Sequence, residues 1–253
     1  MSDPVSAAPL AGRIALVTGA TRGIGRASAL ALANAGVHVI ATARTQGGLM
    51  ALDDEIRAAT GQPATLVPLD LGNGDGIDQL GLAIHQRHAR LDILVHSGAI
   101  LGGLWPVSHI DPKHWERVMA INLTSVYRLI RSMEPLLKQS EAGRAIFLTS
   151  GRAVRPKAFW GSYAAAKAGV EALVRSWADE IEHTQVRAVL LDPGQMRTAM
   201  RAEAYPGEDP LTLPDPAEIG PLVVELAQAD RGLPKETVSF SDWSAARAQG
   251  AQA

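Results

Sequence analysis

Tyr163 and Lys167, in Gly161-Ser162-Tyr163-Ala164-Ala165-Ala166-Lys167, are spaced for proton transfer at a carbonyl. Residues four apart on a helix share a face, so the lysine ammonium can lie near the phenol and favour its ionised form. A free phenol titrates near pH ~10. Two unit charges at about 4 Å interact by roughly 1 kcal/mol in water and roughly 4 kcal/mol at an effective dielectric near 20. Since about 1.4 kcal/mol moves a pKa by one unit, an exposed pair leaves the phenol nearly unperturbed. A partly desolvated pair can bring it towards neutrality, so the chemistry depends on the elements that bury these residues.

A second constellation concerns phosphate. Thr18-Gly19-Ala20-Thr21-Arg22-Gly23-Ile24-Gly25 follows an apolar run and leads directly into a helical pattern over 27–35. Glycines there permit a tight strand-to-helix turn, let the backbone approach a pyrophosphate and allow close helix packing, while the helix N-terminus offers free N–H groups to the anion. An acid at the end of the second strand would bond a ribose 2′-hydroxyl and repel a 2′-phosphate. The sequence has none at Ile40-Ala41-Thr42-Ala43-Arg44, and both Arg44 and Arg22 can reach a phosphate. NADP(H) is therefore expected in preference to NAD(H).

The elements that must position these groups alternate along the chain. Short β-type runs at 14–17, 37–40, 65–69, 93–95, 145–148, 186–191 and 238–240 are separated by stretches long enough for helices. That order predicts an α/β fold with a doubly wound, seven-stranded parallel sheet, Rossmann-like, covered by helices on both faces. Asp111-Pro112 reads as N-cap and first helical position of a helix running towards Lys138, and Asp215-Pro216 repeats the signal before 217–227. Residues 195–214 lack periodicity, follow the sixth strand and are expected to form a substrate lid.

One domain spanning 1–253 is expected, with tails 1–11 and 244–253 loosely ordered. The net charge of -2 and the lack of a basic run give no nucleic-acid or anionic-membrane surface. The chain contains no cysteine, which excludes disulfides, thiolate metal sites and a cysteine nucleophile, and no metal is expected. No signal-type start or membrane-length apolar stretch is present, so a cytoplasmic location is expected.

Together these residues resemble the short-chain dehydrogenase/reductase family, in its compact single-domain branch, from about Arg13 to about Phe240. The glycine motif matches Thr18 to Gly25; Asp70, beside Leu71, matches the family's aspartate for the adenine; and Asn122 matches its catalytic asparagine. Ser150 matches the family's serine, Tyr163 and Lys167 its Tyr-x-x-x-Lys pair, and Pro193, Gly194 and Thr198 its nicotinamide contacts. The resemblance implies cofactor contacts at Gly19, Thr21, Arg22, Gly23, Ile24 and Gly25, at Arg44, Asp70 and Leu71, and at Ser97 and Gly98. Tyr163, Lys167, Pro193, Gly194 and Thr198 complete that cofactor set.

It also implies hydride transfer between NADP(H) and a small carbonyl or alcohol. Tyr163 would be the general acid/base and Ser150 would bond the substrate oxygen; Lys167 would hold the ribose and lower the phenol pKa, and Asn122 would hold a water joining Lys167 to solvent. A homodimer or homotetramer is implied too. Two stretches depart from the family. His96-Ser97-Gly98-Ala99 replaces Asn-Asn-Ala-Gly, with His96 expected to pack, and Ser239-Phe240-Ser241-Asp242-Trp243 replaces a glycine-rich finish, which weakens the tetramer expectation.

Trp105, Arg152, Arg155, Trp160, Gln195, Met196, Arg201 and Tyr205 are the expected pocket borders. Arginines beside aromatics suit a carboxylate or a planar ring, or they can pair with Glu203 and Glu208. Two other functions fit the same scaffold: a nucleotide-dependent dehydratase or epimerase, and a non-catalytic NADP-binding regulatory protein.

Overall fold

Alternate residues of the central strands turn to opposite faces of the sheet, and both sets are apolar. In β1 (Ile14–Thr18), Ala15 and Val17 enter one core cluster and Leu16 the other. A computed structural model describes residues 8–230, 232–234 and 236–250. The remaining strands are β2 (His38–Ala43), β3 (Thr65–Pro68), β4 (Ile93–His96), β5 (Arg144–Leu148), β6 (Arg187–Asp192) and β7 (Val238–Ser239). All pairings are parallel, in the order β3-β2-β1-β4-β5-β6-β7. Order reverses between β1 and β4, which opens a crevice at their carboxyl ends.

Helices α1 (Gly23–Asn34), α2 (Gln46–Thr60) and α8 (Gly220–Leu226) cover one face. Helices α3 (Gly74–His88), α5 (Ser125–Leu137) and α6 (Gly161–Glu180) cover the other. The doubly wound α/β expectation holds. α4 (Pro112–Met119) begins as its sequence predicts, with the Asp111 carboxylate accepting the Lys113 and His114 N–H groups. It does not run unbroken towards Lys138, because a π-helical turn at Ala120–Thr124 separates it from α5.

Three local expectations need correction. Within the expected N-terminal tail Leu10 is buried and its N–H donates to the Ala35 carbonyl, which anchors the chain there. The segment from 244 to 250 is helical, as part of α9 (Phe240–Gly250), and residues 1–7 and 251–253 of the expected tails lie outside the described residues. Within 195–214 lie a short helix, α7 (Ala199–Ala204), and a 3-10 turn at Pro210–Thr212. No helix among the described residues is long and apolar enough to cross a membrane.

Candidate active site

At the carboxyl ends of β1 and β4 two turns meet with no room for side chains. Gly19 has φ +66°, and a Cβ on it would lie 2.8 Å from the Gly98 Cα. A Cβ on Gly25 would lie 2.2 Å from the Gly19 carbonyl oxygen. Both are backbone contacts, so only glycine lets this loop close. The N-cap residue of α1, Arg22, makes no side-chain cap, which leaves the first N–H groups of that helix to another acceptor.

The 97–100 turn is fastened from two sides. The Thr18 hydroxyl accepts the Gly98 N–H at 3.2 Å and lies 2.9 Å from His96 Nδ1. Burial, reinforced by the Lys167 charge, pushes the His96 pKa down to about 3, and the ring packs on Phe147. From the other side, Asn122 Oδ1 accepts the Ile100 N–H at 2.9 Å and its Nδ2 donates to the Ile100 carbonyl at 2.8 Å. Both ends of the Asn122 carboxamide thus hold the turn.

Tyr163 and Lys167 lie near the start of α6, both buried. Lys167 Nζ is 5.9 Å from the Tyr163 ring centroid and donates to the Leu148 carbonyl at 2.7 Å. Burial lowers its pKa to about 8 against the opposing charges of Asp192 and Glu171. Tyr163 departs from the expectation drawn from spacing. Burial raises its pKa, a hydrogen bond with Ser150 opposes the rise and the Asp192 charge adds to it, so the phenol is pushed up to about 12. In the protein alone the desolvation that would strengthen a charge pair penalises the phenolate more, and Lys167 faces a carbonyl.

One cleft runs from Arg22, Gly23 and Arg44 past Asp70 and Leu71, over Ser97 and Gly98, to Tyr163 and Lys167. Gly19, Thr21, Ile24, Pro193 and Thr198 also line it. Gly25, Asn122, Ser150 and Gly194 are not in its wall: Gly25 backs the loop, Asn122 the turn, and Ser150 bonds Tyr163. The Asp70 carboxylate takes Arg117 Nη2 at 2.6 Å and the Gly72 N–H at 2.8 Å. Burial raises the Asp70 pKa, but Arg117, the Gly72 N–H and Arg44 outweigh it and hold the carboxyl below its ordinary value.

Beyond Tyr163 the mouth is aromatic and basic. Trp160 meets Tyr163 edge-on at 5.7 Å and Tyr205 at 6.0 Å. α7 seats Ala204 in a cluster with Leu101, Trp160 and Tyr163. Phe159, with φ +73°, accepts the Trp105 N–H on its carbonyl at 3.1 Å, tying the two mouth loops together. Of the expected borders, Met196 instead packs in the core beside α1 and α8, and Arg201 makes a bidentate pair with Glu208.

Residues 13–209 match the model of a family described as short chain dehydrogenase. This chain belongs to the short-chain dehydrogenase/reductase family. It is 37% identical over 220 residues to an uncharacterized oxidoreductase, YciK, of Escherichia coli strain K12, spanning 86% of this chain and 87% of that protein. A short chain dehydrogenase of Shigella flexneri 2a complexed with NADP superposes with TM-score 0.88 at 36% identity, covering 92% of this chain and 99% of that one. Another, from Escherichia coli CFT073 and complexed with NADPH, has the same TM-score and identity and covers 92% and 98%.

Within this short-chain dehydrogenase, four residues at the site carry weight that the sequence did not reveal. Thr18 bridges His96 and Gly98, and Arg117 clamps Asp70. Asp192 acts on the charge of both Tyr163 and Lys167. Glu171, buried one turn beyond Lys167, accepts the Thr149 hydroxyl at 2.7 Å. The repeat of the four-residue spacing, Tyr163, Lys167, Glu171, is the signal that could have found the last of these. Arg117 carries no such signal, because its partner is 47 residues away.

Proposed function

We propose that this protein transfers a hydride between NADP(H) and a small carbonyl or alcohol substrate, with Tyr163 as general acid in the reductive direction. The observation that carries this reading is a buried, protonated phenol bonded to Ser150 at the end of a cleft with a glycine-built phosphate cradle. The residues fit the nucleotide. Side chains at Gly19 and Gly25 would strike backbone and keep the loop from closing into a cradle, and the first N–H groups of α1 lack a side-chain cap. Arg22 and Arg44 line the other end of the cleft, suited to a 2′-phosphate. When bound, the reduced nicotinamide supplies the hydride.

The chain's own residues do the rest. Ser150 bonds the carbonyl oxygen and Tyr163 donates the proton to it as the alkoxide develops. Lys167 holds the nicotinamide ribose and passes a proton back towards Tyr163. Asn122, within the π turn, keeps the turn beneath the cofactor in place and holds the water that joins Lys167 to solvent. The 195–214 segment, resting on Trp160 and Tyr163 through α7, acts as the substrate lid. The protein works in the cytoplasm as a homodimer or homotetramer.

The test is a panel of aldehydes, ketones and quinones with NADPH, followed at the nicotinamide absorbance, for the native protein and Tyr163→Phe. General acid catalysis contributes about 10²–10⁴-fold, so the variant is expected to lose at least about 10²-fold in kcat while still binding NADPH. Turnover that survives in Tyr163→Phe removes the assigned role. NADPH binding with no turnover across the panel favours a nucleotide-binding protein without catalysis.

A further inference from the structure

The loop between Ser150 and α6 carries three cations, Arg152, Arg155 and Lys157, and none of them has a carboxylate within ion-pair distance among the described residues. Two of the three are drawn over the aromatic mouth. The Arg152 guanidinium lies 5.3 Å from the Trp160 ring centroid, and Lys157 Nζ lies 5.5 Å from that of Tyr205. A fourth cation, Arg201 of α7, lies 3.9 Å over the Tyr205 ring, with Glu208 neutralising it. Burial raises the Tyr205 pKa, yet a hydrogen bond from Arg152 and the charges of Lys157, Arg152 and Arg201 outweigh it and leave the phenol below its ordinary value. Of the cations at the Tyr205 ring, Arg201 is paired with Glu208, while Arg152 and Lys157 have no carboxylate partner among the described residues.

Trp160 joins this spot to the chemistry, since its ring touches both Tyr163 and Tyr205. A substrate whose carbonyl is at Tyr163 would pass over Trp160 and bring its far end to Arg152 and Lys157. The near wall is apolar, formed by Leu101, Trp160 and Ala204. Unpaired cations beside aromatic faces, at the end of an apolar path, suit an anion attached to an apolar body.

We infer that the mouth of this site is an anion receptor: the substrate is a ketone or aldehyde that bears a carboxylate or phosphate beyond an apolar or aromatic spacer, captured by Arg152 and Lys157 beside Trp160 and Tyr205. This rests on the carbonyl-reductase reading above, and it names the substrate class for that site. A neutral ketone of the same shape lacks the group that the two cations await. Arginine can hold either a carboxylate or a phosphate by two parallel bonds, so the source of the anion is decided by comparison.

The experiment separates binding from chemistry. The ketones 4-acetylbenzoate, 4-acetylphenyl phosphate and methyl 4-acetylbenzoate are titrated calorimetrically into the protein loaded with NADP⁺, which cannot reduce them. The carboxylate or the phosphate is expected to bind at least tenfold more tightly than the ester, and the tighter of the two identifies the anion. In Arg152→Gln/Lys157→Gln that advantage should vanish, with NADP⁺ affinity in the same samples as the check on folding. Arg152→Lys, which keeps the charge, should retain part of it. Equal affinity for the ester and both anions, or an advantage undiminished in the double variant, overturns the inference. With NADPH in place of NADP⁺, native protein that binds the anion tightly but reduces no ketone leaves the receptor standing and overturns hydride transfer instead.

Discussion

The Tyr163 phenol is kept protonated by its surroundings, with burial and Asp192 raising its pKa against the Ser150 bond to about 12. At neutral pH the phenol is overwhelmingly protonated, and under the proposed mechanism the phenolate that alcohol oxidation would use is scarce before any cofactor charge is added. Carbonyl reduction therefore should not lose activity through Tyr163 as pH rises from 6 to 9. Alcohol oxidation should gain about tenfold per pH unit over the range below the pKa of the NADP⁺ complex. The positive nicotinamide ring favours the phenolate, so that break must fall below 12. Profiles of kcat/KM against pH in both directions check this, and a level oxidation profile through neutrality would show that another group is the base. The residue types were legible in the sequence, but the direction of the phenol's shift was not. Spacing sets which groups are neighbours, whereas the sign depends on how much water the fold removes and where the lysine turns.

The β1–α1 loop is the element in which sequence and structure agree most closely. Gly19 and Gly25 stand where a Cβ would strike backbone: at Gly25 the obstacle is the Gly19 carbonyl oxygen at 2.2 Å, with no flexible side chain to give way. Gly25→Ala is expected to push the loop off the 97–100 turn, destabilise the fold by about 1–3 kcal/mol as overpacked sites do, and weaken NADPH at least tenfold. Thermal melting and a fluorescence titration read the two effects, and unchanged NADPH affinity would show that the pyrophosphate does not rest on this loop. The strands were legible from their apolar runs, and α4 from Asp111-Pro112, because those signals are local. The π turn at Ala120–Thr124 was not, since it appears only when Asn122 is drawn onto Ile100 on another loop. α9 escaped because its polar, small residues bury little beyond Phe240, with Trp243 docking on Glu225 and the core from outside. Likewise α7 is too short for periodicity and owes its place to packing on Trp160 and Tyr163.

The candidate cleft draws its walls from both layers of the molecule. Gly23 begins α1, in the layer on one face, while Tyr163 and Lys167 belong to α6 in the other, and the Gly19–Gly98 contact joins them across the sheet's crevice. A nucleotide lying along that cleft would tie the two cores together, so its binding should register in the stability of the whole fold rather than of one loop. Binding at a hundredfold excess over Kd stabilises the folded state by about 2.7 kcal/mol, and in a chain of this size each kcal/mol raises Tm by about 2–4 °C. A rise of roughly 5–10 °C is therefore expected with saturating NADPH. Arg22 and Arg44 line the cleft without an ion-pair partner among the described residues, so at equal concentration NADH, which lacks the 2′-phosphate, should produce a distinctly smaller rise. Arg44→Asp should narrow or reverse the order by replacing a phosphate partner with a ribose one. Equal shifts from the two nucleotides in the native protein would mean that the arginines do not read the 2′-phosphate. Equal shifts only in the variant, with NADPH ahead in the native protein, would locate that discrimination at the end of β2.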